Sequence, residues 1–385
     1  MRLICLSLVI AASSAHAATF TVMNTNNSGS GSLRQAILNA NASSGTDTVA
    51  FDIPGFGPHS IQPTSALPTI TDAVIIDGYT QPGAAPNTNG PDLGGNAMLT
   101  IELDGTNAGS NTHGLTITAG SSVVQGLVIN RFSLNGVLIS GNGATENRIQ
   151  GNFIGTDTSG TSALGNGLYG VSIVDAPSNT VGGTIGRARN VISGNDNVGV
   201  VIVGGPACSG TATGNLIQGN FIGTDVTGTL RVHNLSGIEI MRGGGPTQCP
   251  PFNNTIGGTA PGAGNVISGN ARNGVVLYNV DFNRVQGNYI GTDVSGLVGL
   301  GNSLRGILIK FNAQFNTIGG TGSGEGNIIA FNGRKGVWVR GPFGTGNAIR
   351  SNSIYSNMDL GIDLSPDLVV TLNDAGDSDF GANDL

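Results

Sequence analysis

Charge and aromatic rings are both scarce in this chain. Of its 385 residues 10% are charged and 5% aromatic, with a single Trp. That is not the composition of an ordinary globular enzyme, although 38% apolar residues suffice to fill a core. Positive charge is the scarcer sign: 16 Lys and Arg against 23 Asp and Glu leave a net −7. This argues against a nucleic-acid partner and requires any anionic ligand to find a local basic patch. No apolar run after the N-terminus approaches the roughly 20 residues that span a bilayer. The run Leu3 to Ala12 follows Arg2 and precedes Ala15-His16-Ala17, a small-x-small cleavage site, so residues 1–17 read as an export signal. Its removal takes one positive charge, from −7 to −8. Cysteine is nearly missing too, with three in all. Once Cys5 leaves with the signal, Cys208 and Cys249 remain, an even pair suited to an oxidising compartment. The expected location is secreted or at the cell surface, without a membrane span.

What the chain has instead is 65 Gly together with abundant Asn, two residues that accept positive φ at little cost and suit a structure of many turns. Regular Ile and Val spacing argues against disorder. The stretch Asn-x-Ile-x-Gly-Asn-x-Ile-Gly-Thr-Asp-x-x-Gly occurs at Asn147 to Gly160, at Asn215 to Gly228 and from Asn283, where Val285 and Tyr289 depart from it; a worn copy starts at Asn347. A second motif, Gly followed by two apolar residues around one variable position, recurs from Gly136-Val-Leu-Ile139 to Gly361-Ile-Asp-Leu364 at about half the larger period. Shorter Asn-Val-Ile-Ser-Gly-Asn and Asn-Thr-Ile-Gly-Gly repeats fill the alternate turns. Period-2 strands of about four residues, broken by Gly-Asn turns in register, mean parallel strands stacking coil on coil. Ile149, Ile217, Val285 and Ile349 should line one inward row. Asn152, Asn195, Asn220, Asn270 and Asn288 should share amide hydrogen bonds at one corner, because a buried amide is tolerable only when satisfied.

One helix is predicted, from Leu33 with Leu33, Ala36, Ile37 and Ala40 on one face and Ser32 and Gln35 spaced as a capping box. It stands where a stacked array needs a lid over its open end. Strands are expected at Thr19 to Val22, Thr48 to Ile53, Ala73 to Asp77 and Leu99 to Asp104, and Gln81 to Asn96 reads as a long Pro/Gly/Asn loop.

On these repeats the chain resembles the right-handed parallel β-helix family with the pectin-lyase-like fold, from about Asn24 onward. Gly31-Ser-Leu-Arg-Gln-Ala36 is similar to the Cys-Ser-Leu-Arg-Glu-Ala-type segment of secreted bacterial members, with Gly31 in place of Cys and Gln35 in place of Glu. The resemblance implies an all-β solenoid with a short N-terminal capping helix. It implies little about activity, since the family includes lyases, hydrolases, epimerases and adhesins. The expected layout is signal peptide 1–17, cap and first coils 18–113, β-helix repeats 114–366 and an acidic tail 367–385. No capping element follows the last coil, so a longer relative or a truncated frame is expected.

Candidate sites belong where the copies differ. Outward positions of the Gly-Val-x-Ile strands give Val201, Val203, Met241, Val276, Tyr278, Leu308, Lys310, Trp338 and Arg340. This stripe either lies under loops or binds a partner; in the second case Tyr278 and Trp338 would stack sugar rings while Lys310 and Arg340 meet acidic groups. Outward positions of the Asn-x-Ile strands, among them Arg148, Gln150, Gln218, Arg284, Gln286 and Arg350, form a polar strip without a carboxylate pair, either a solvated face or a sugar contact. Asp157, Asp225 and Asp293 read as turn caps, and His59, His113 and His233 as loop residues. Asp374, Asp377 and Asp379 have oxygen-ligand spacing that would hold calcium. Stacked coils bring Cys208 and Cys249 within disulfide range. The expected function is an exported monomer that binds polysaccharide or a cell-surface component; the alternative is a lyase or epimerase acting on uronic-acid polymers, and a third reading is a structural spacer.

Overall fold

The computed structural model describes residues 17–205, 212–244, 249–341 and 344–364. The β-branched runs form short strands that pair in parallel into three sheets of 11, 10 and 9 strands. In the first sheet Arg148–Gln150, Thr180–Gly182, Leu216–Gln218, Thr255–Gly257 and Arg284–Gln286 follow one another as neighbours. From Val74–Asp77 onward each coil gives one strand to each sheet, which makes the chain a right-handed parallel β-helix, as the repeats predict. The long repeat is two strands around a corner: Arg148–Gln150 enters the first sheet and Phe153–Ile154 the second. Its partners in the next coil are Thr180–Gly182 and Val191–Ile192.

The core is the column of inward side chains. Ile149, Val181, Ile217, Ile256, Val285 and Ile318 stand in register with no solvent exposure, each contributing about 1.5–3 kcal/mol by burial. The repeat also turns the chain sharply. Gly155 and Gly223 adopt φ of 91° and 90°, and a Cβ at either would lie 2.4 Å from the side-chain oxygen of Asn195 or Asn270 respectively.

Those asparagines correct the expectation of a single amide corner. Among the described residues there are three ladders, one at each corner. One runs Asn147, Asn179, Asn215, Asn254, Asn283, Asn316, Asn347. A second runs Asn152, Asn190, Asn220, Asn265, Asn288, Asn327, Asn352. The third runs Asn166, Asn195, Asn234, Asn270, Asn302, Asn332, Asn357. Asn195 and Asn270 therefore belong with the third ladder, not with Asn152, Asn220 and Asn288. Each step is well satisfied: Asn220 donates from its backbone N–H and its Nδ2 to Asn265 Oδ1, both at 3.0 Å, and from Nδ2 to the Val181 carbonyl at 2.9 Å. Removing one amide orphans buried groups at about 1–3 kcal/mol each.

The helix is Leu33–Ala42, with Leu33, Ala36, Ile37 and Ala40 buried and Ser32 as N-cap. It packs on Thr19–Val22 and Asp47–Phe51, where the first sheet begins, and so covers an edge strand. Only half of the capping box forms. Ser32 Oγ accepts the Gln35 N–H at 3.2 Å, but the Gln35 amide donates to Asn39 instead of returning to Ser32. His59, expected in a loop, opens the strand His59–Ile61.

Outside the coil the second sheet is covered. Phe153, Val191, Phe221 and Val266 form a second apolar cluster, over which the loop 81–96 is fastened from a distance. Arg189 donates to the carbonyls of Leu93, Pro91 and Gly90 at 2.6, 2.8 and 3.2 Å, and its guanidinium lies 4.2 Å from the Phe221 ring centre.

Candidate functional site

The third sheet presents the other apolar outer face. Parallel pairing sets two outward rows in register. Val201, Glu239, Val276, Leu308, Trp338 and Asp363 make one; Val203, Met241, Tyr278, Lys310 and Arg340 make the other. All four of the predicted ligand-binding residues, Tyr278, Lys310, Trp338 and Arg340, therefore stand on one face, Tyr278 and Lys310 in adjacent coils.

Their environments differ. Trp338 is only 4% exposed and packs with Val276 and Leu308, while Arg305 lies 4.2 Å, Lys335 4.5 Å and Arg340 5.2 Å from its ring centre. Its indole is a base on which cations are held. Lys335 in turn forms a buried ion pair with Asp363 on the last described strand. Tyr278 is half-buried; Lys310 Nζ stands 4.9 Å from its ring centre and Phe311 meets it edge-on at 4.6 Å. Beside it a groove of about 500 Å³ is lined by Tyr169, Val203, Met241, Arg242 and Tyr278.

The charges of this face act on one another. Burial pushes the Lys310 ammonium down; Glu239 opposes this, and Arg340, Arg305 and Arg272 add to it. Arg305 is likewise lowered by burial, then by Arg334 and Arg340, against Asp359. Glu239 is pushed up by burial, against a hydrogen bond from Ser236 and the pull of Lys310 and Arg272, and Tyr169 is raised by burial and by Glu239. Of the 16 Lys and Arg in the chain, seven (Arg242, Arg272, Arg305, Lys310, Arg334, Lys335 and Arg340) belong to this neighbourhood. Arg272, Arg305, Arg334 and Lys335 escape a reading of outward strand positions because they precede the strands. The signal was present all the same, as a basic residue one or two places before Gly274, Gly306 and Gly336.

The other expectations fall as follows. On the first sheet Gln150 bonds Gln125, and Gln218 and Gln286 donate to carbonyls of the next coil, so the amides of the polar strip serve the coil stack while Arg148, Arg284 and Arg350 are exposed. Asp157, Asp225 and Asp293 cap their turns; Asp225 Oδ1 accepts the N–H groups of Thr229 and Leu230 at 3.1 and 3.0 Å. Cys249 is disulfide-bonded, and Cys208 lies outside the described residues, as do Asp374, Asp377 and Asp379 and nearly all of the expected export signal. Among the described residues no group of three or more acidic, His or Cys side chains is placed to hold a metal ion. No described helix is long and apolar enough to cross a membrane.

One carboxylate pair was missed. Glu102 and Asp104 stand on one strand, with Arg131 2.8 Å from Asp104 and 3.6 Å from Glu102. Burial would raise Asp104, but bonds from Thr106, Gln62 and Arg131 outweigh it and hold the group below the usual carboxylate range. An acid held ionised and Arg-bound is a poor proton donor.

No protein-family model matches this sequence, and no curated protein matches it. Solved structures do. The A-module of mannuronan C-5 epimerase AlgE4 from Azotobacter vinelandii is 16% identical, over 90% of this chain and 95% of that one, with a TM-score of 0.48. The Dettilon tailspike protein is 16% identical over 91% and 67%, at 0.43, and the periplasmic alginate epimerase AlgG 12% over 83% and 72%, at 0.33. The likeness is one of fold.

Proposed function

We propose that this is an exported β-helix protein whose third-sheet outer face binds an extended acidic polysaccharide, with no catalysis assigned. The observation that carries the reading is the gathering of seven of 16 cations on this face, four of them over the Tyr278 and Trp338 rings, on a chain of net charge −7. Cations fixed over aromatic rings and apolar neighbours have already lost much of their hydration, so carboxylates or sulfates of a polymer gain more from them than from freely solvated lysines. The rows repeat once per coil, about 4.8 Å, which suits a ligand that is itself a linear repeat.

The test is retention of the full chain on immobilised alginate and polygalacturonate, with dextran as the uncharged control. Retention should be confined to the acidic polymers and weaken between low salt and about 0.5 M salt, where screening shortens to a few ångströms. The double substitution Lys310→Gln, Arg340→Gln should remove most of it. Equal retention on dextran, or no response to salt, would sink the reading. The second reading, a lyase or epimerase acting on uronic-acid polymers, is favoured by Tyr169 and Tyr278 lining the groove, with Lys310 held over the Tyr278 ring; ultraviolet absorbance of unsaturated ends and the uronate epimer ratio in the same incubations report it.

A further inference from the structure

Three phenylalanines at one corner of the β-helix adopt a backbone conformation that bulky residues rarely take. Phe282, Phe311 and Phe315 have φ of 57°, 59° and 53°, and all lie in the turns that lead from the third sheet to the first. Two occupy a single structural position, the residue before the first Asn ladder. In the other coils that position holds Glu146, Ser178, Gly214, Asn253 and Gly346, also at positive φ from 54° to 68°. Asn and Gly are what such a corner favours. In two consecutive coils it carries Phe instead.

Those rings are not used to fill a core. Phe282 and Phe315 stack on each other at 5.3 Å with an 11° tilt, yet are 52% and 49% exposed, and Phe311 is 57% exposed. Phe311 also touches Tyr278, so the aromatic corner continues directly from the cationic face. On one side it borders Lys310 and Arg340; on the other, exposed Arg284 follows Phe282 by two residues. An apolar patch of this kind, kept open against local conformational preference and flanked by cations, is built for contact.

We infer that Phe282, Phe315 and Phe311 form a second contact surface for the acidic polysaccharide, packing against the apolar C–H faces of sugar rings while Lys310, Arg340 and Arg284 hold the flanking carboxylates. This rests on the third-sheet reading and extends it around the corner. The charge border selects an anionic chain over a second copy of this acidic protein. The aromatic pair, one coil apart, selects a linear ligand.

The experiment places residues that other coils carry at the corner, Phe282→Asn as at Asn253 and Phe315→Ser as at Ser178, in the full chain. Affinity for alginate and polygalacturonate is measured alongside the thermal midpoint. The inference expects affinity to fall by about tenfold, as for the loss of one to two aromatic contacts, while the midpoint holds or rises because the left-handed backbone is relieved. Affinity within twofold of the parent, or a midpoint lowered by several degrees, would overturn it; the first leaves the third-sheet reading standing. If the parent itself binds neither polymer, that reading fails and this one with it. Concentration-dependent self-association that the double variant abolishes would give the corner to a second copy and overturn the inference.

Discussion

Glu239 stands between Val201 and Val276 in the outward row of the third sheet, a half-buried carboxyl among apolar neighbours. Burial raises it more than Ser236, Lys310 and Arg272 lower it, so the folded state favours the neutral acid more than the unfolded chain does. Between the pKa of the unfolded chain and the raised folded value, the fold holds a proton that the unfolded chain lacks. Its stability is full below that window and declines as pH rises through it. Glu239→Gln keeps the shape and removes the titration. It should raise the thermal midpoint by a few degrees near neutral pH and leave it unchanged in acid below the ordinary carboxylate range; a difference of equal size at both pH values would defeat this account. The sequence offered Glu239 as the variable position of one repeat among eight, with nothing to mark it. What marks it is the register, which places a lone acid between two valines and near Lys310, and register follows only once the coils are aligned.

The elements show why alignment does not come from counting. Successive steps of the second Asn ladder are 38, 30, 45, 23, 39 and 25 residues, since each coil carries loops of its own length. Repeats reveal that ladders exist, and the loops conceal which Asn joins which. The same holds for the clasp on the second sheet. A Pro/Gly/Asn composition identifies the loop 81–96 as irregular, but the residue that seats it, Arg189, is 96 to 99 positions away. Arg189 is 7% exposed, and burial pushes its pKa down to about 10 against the charge of Asp92, so it remains a cation at neutral pH and donates to three carbonyls. Arg189→Ala would free the loop at a cost of about 2–3 kcal/mol. Cleavage inside 81–96 by a protease of broad specificity should quicken at least tenfold while retention on acidic polymers stays as in the parent. Unchanged cleavage would mean that the loop is held by its other bonds, such as Gly95 N–H to the Val226 carbonyl and Asn87 to the Gly186 carbonyl.

At the scale of the whole molecule each coil contacts chiefly its two neighbours, so stability should be close to a sum of coil and interface terms. The composition already pointed there: few charges, many Gly and Asn, and one period. The corner geometry makes it testable by subtraction. Gly214 and Phe282 both precede a first-ladder Asn and share positive φ, 68° and 57°, and Asn215 and Asn283 are two ladder steps apart through Asn254. Joining Gly214 directly to Asn283 removes residues 215–282 and should bring Arg284–Gln286 onto Thr180–Gly182, the site that Leu216–Gln218 holds in the parent. Val285 then replaces Ile217 in the core column, Tyr289 replaces Phe221 beneath Arg189, and Asn283 replaces Asn215 in the ladder. With Cys208→Ser, so that loss of Cys249 strands no thiol, the shortened chain should fold as a rod about 10 Å shorter, with the circular-dichroism signature of the parent and a modestly lower midpoint. A removal of 60 or 75 residues at the same junction breaks all three ladders and should not fold. If the 68-residue deletion behaves like those two, coil interchangeability is wrong and the units are held by contacts that do not repeat.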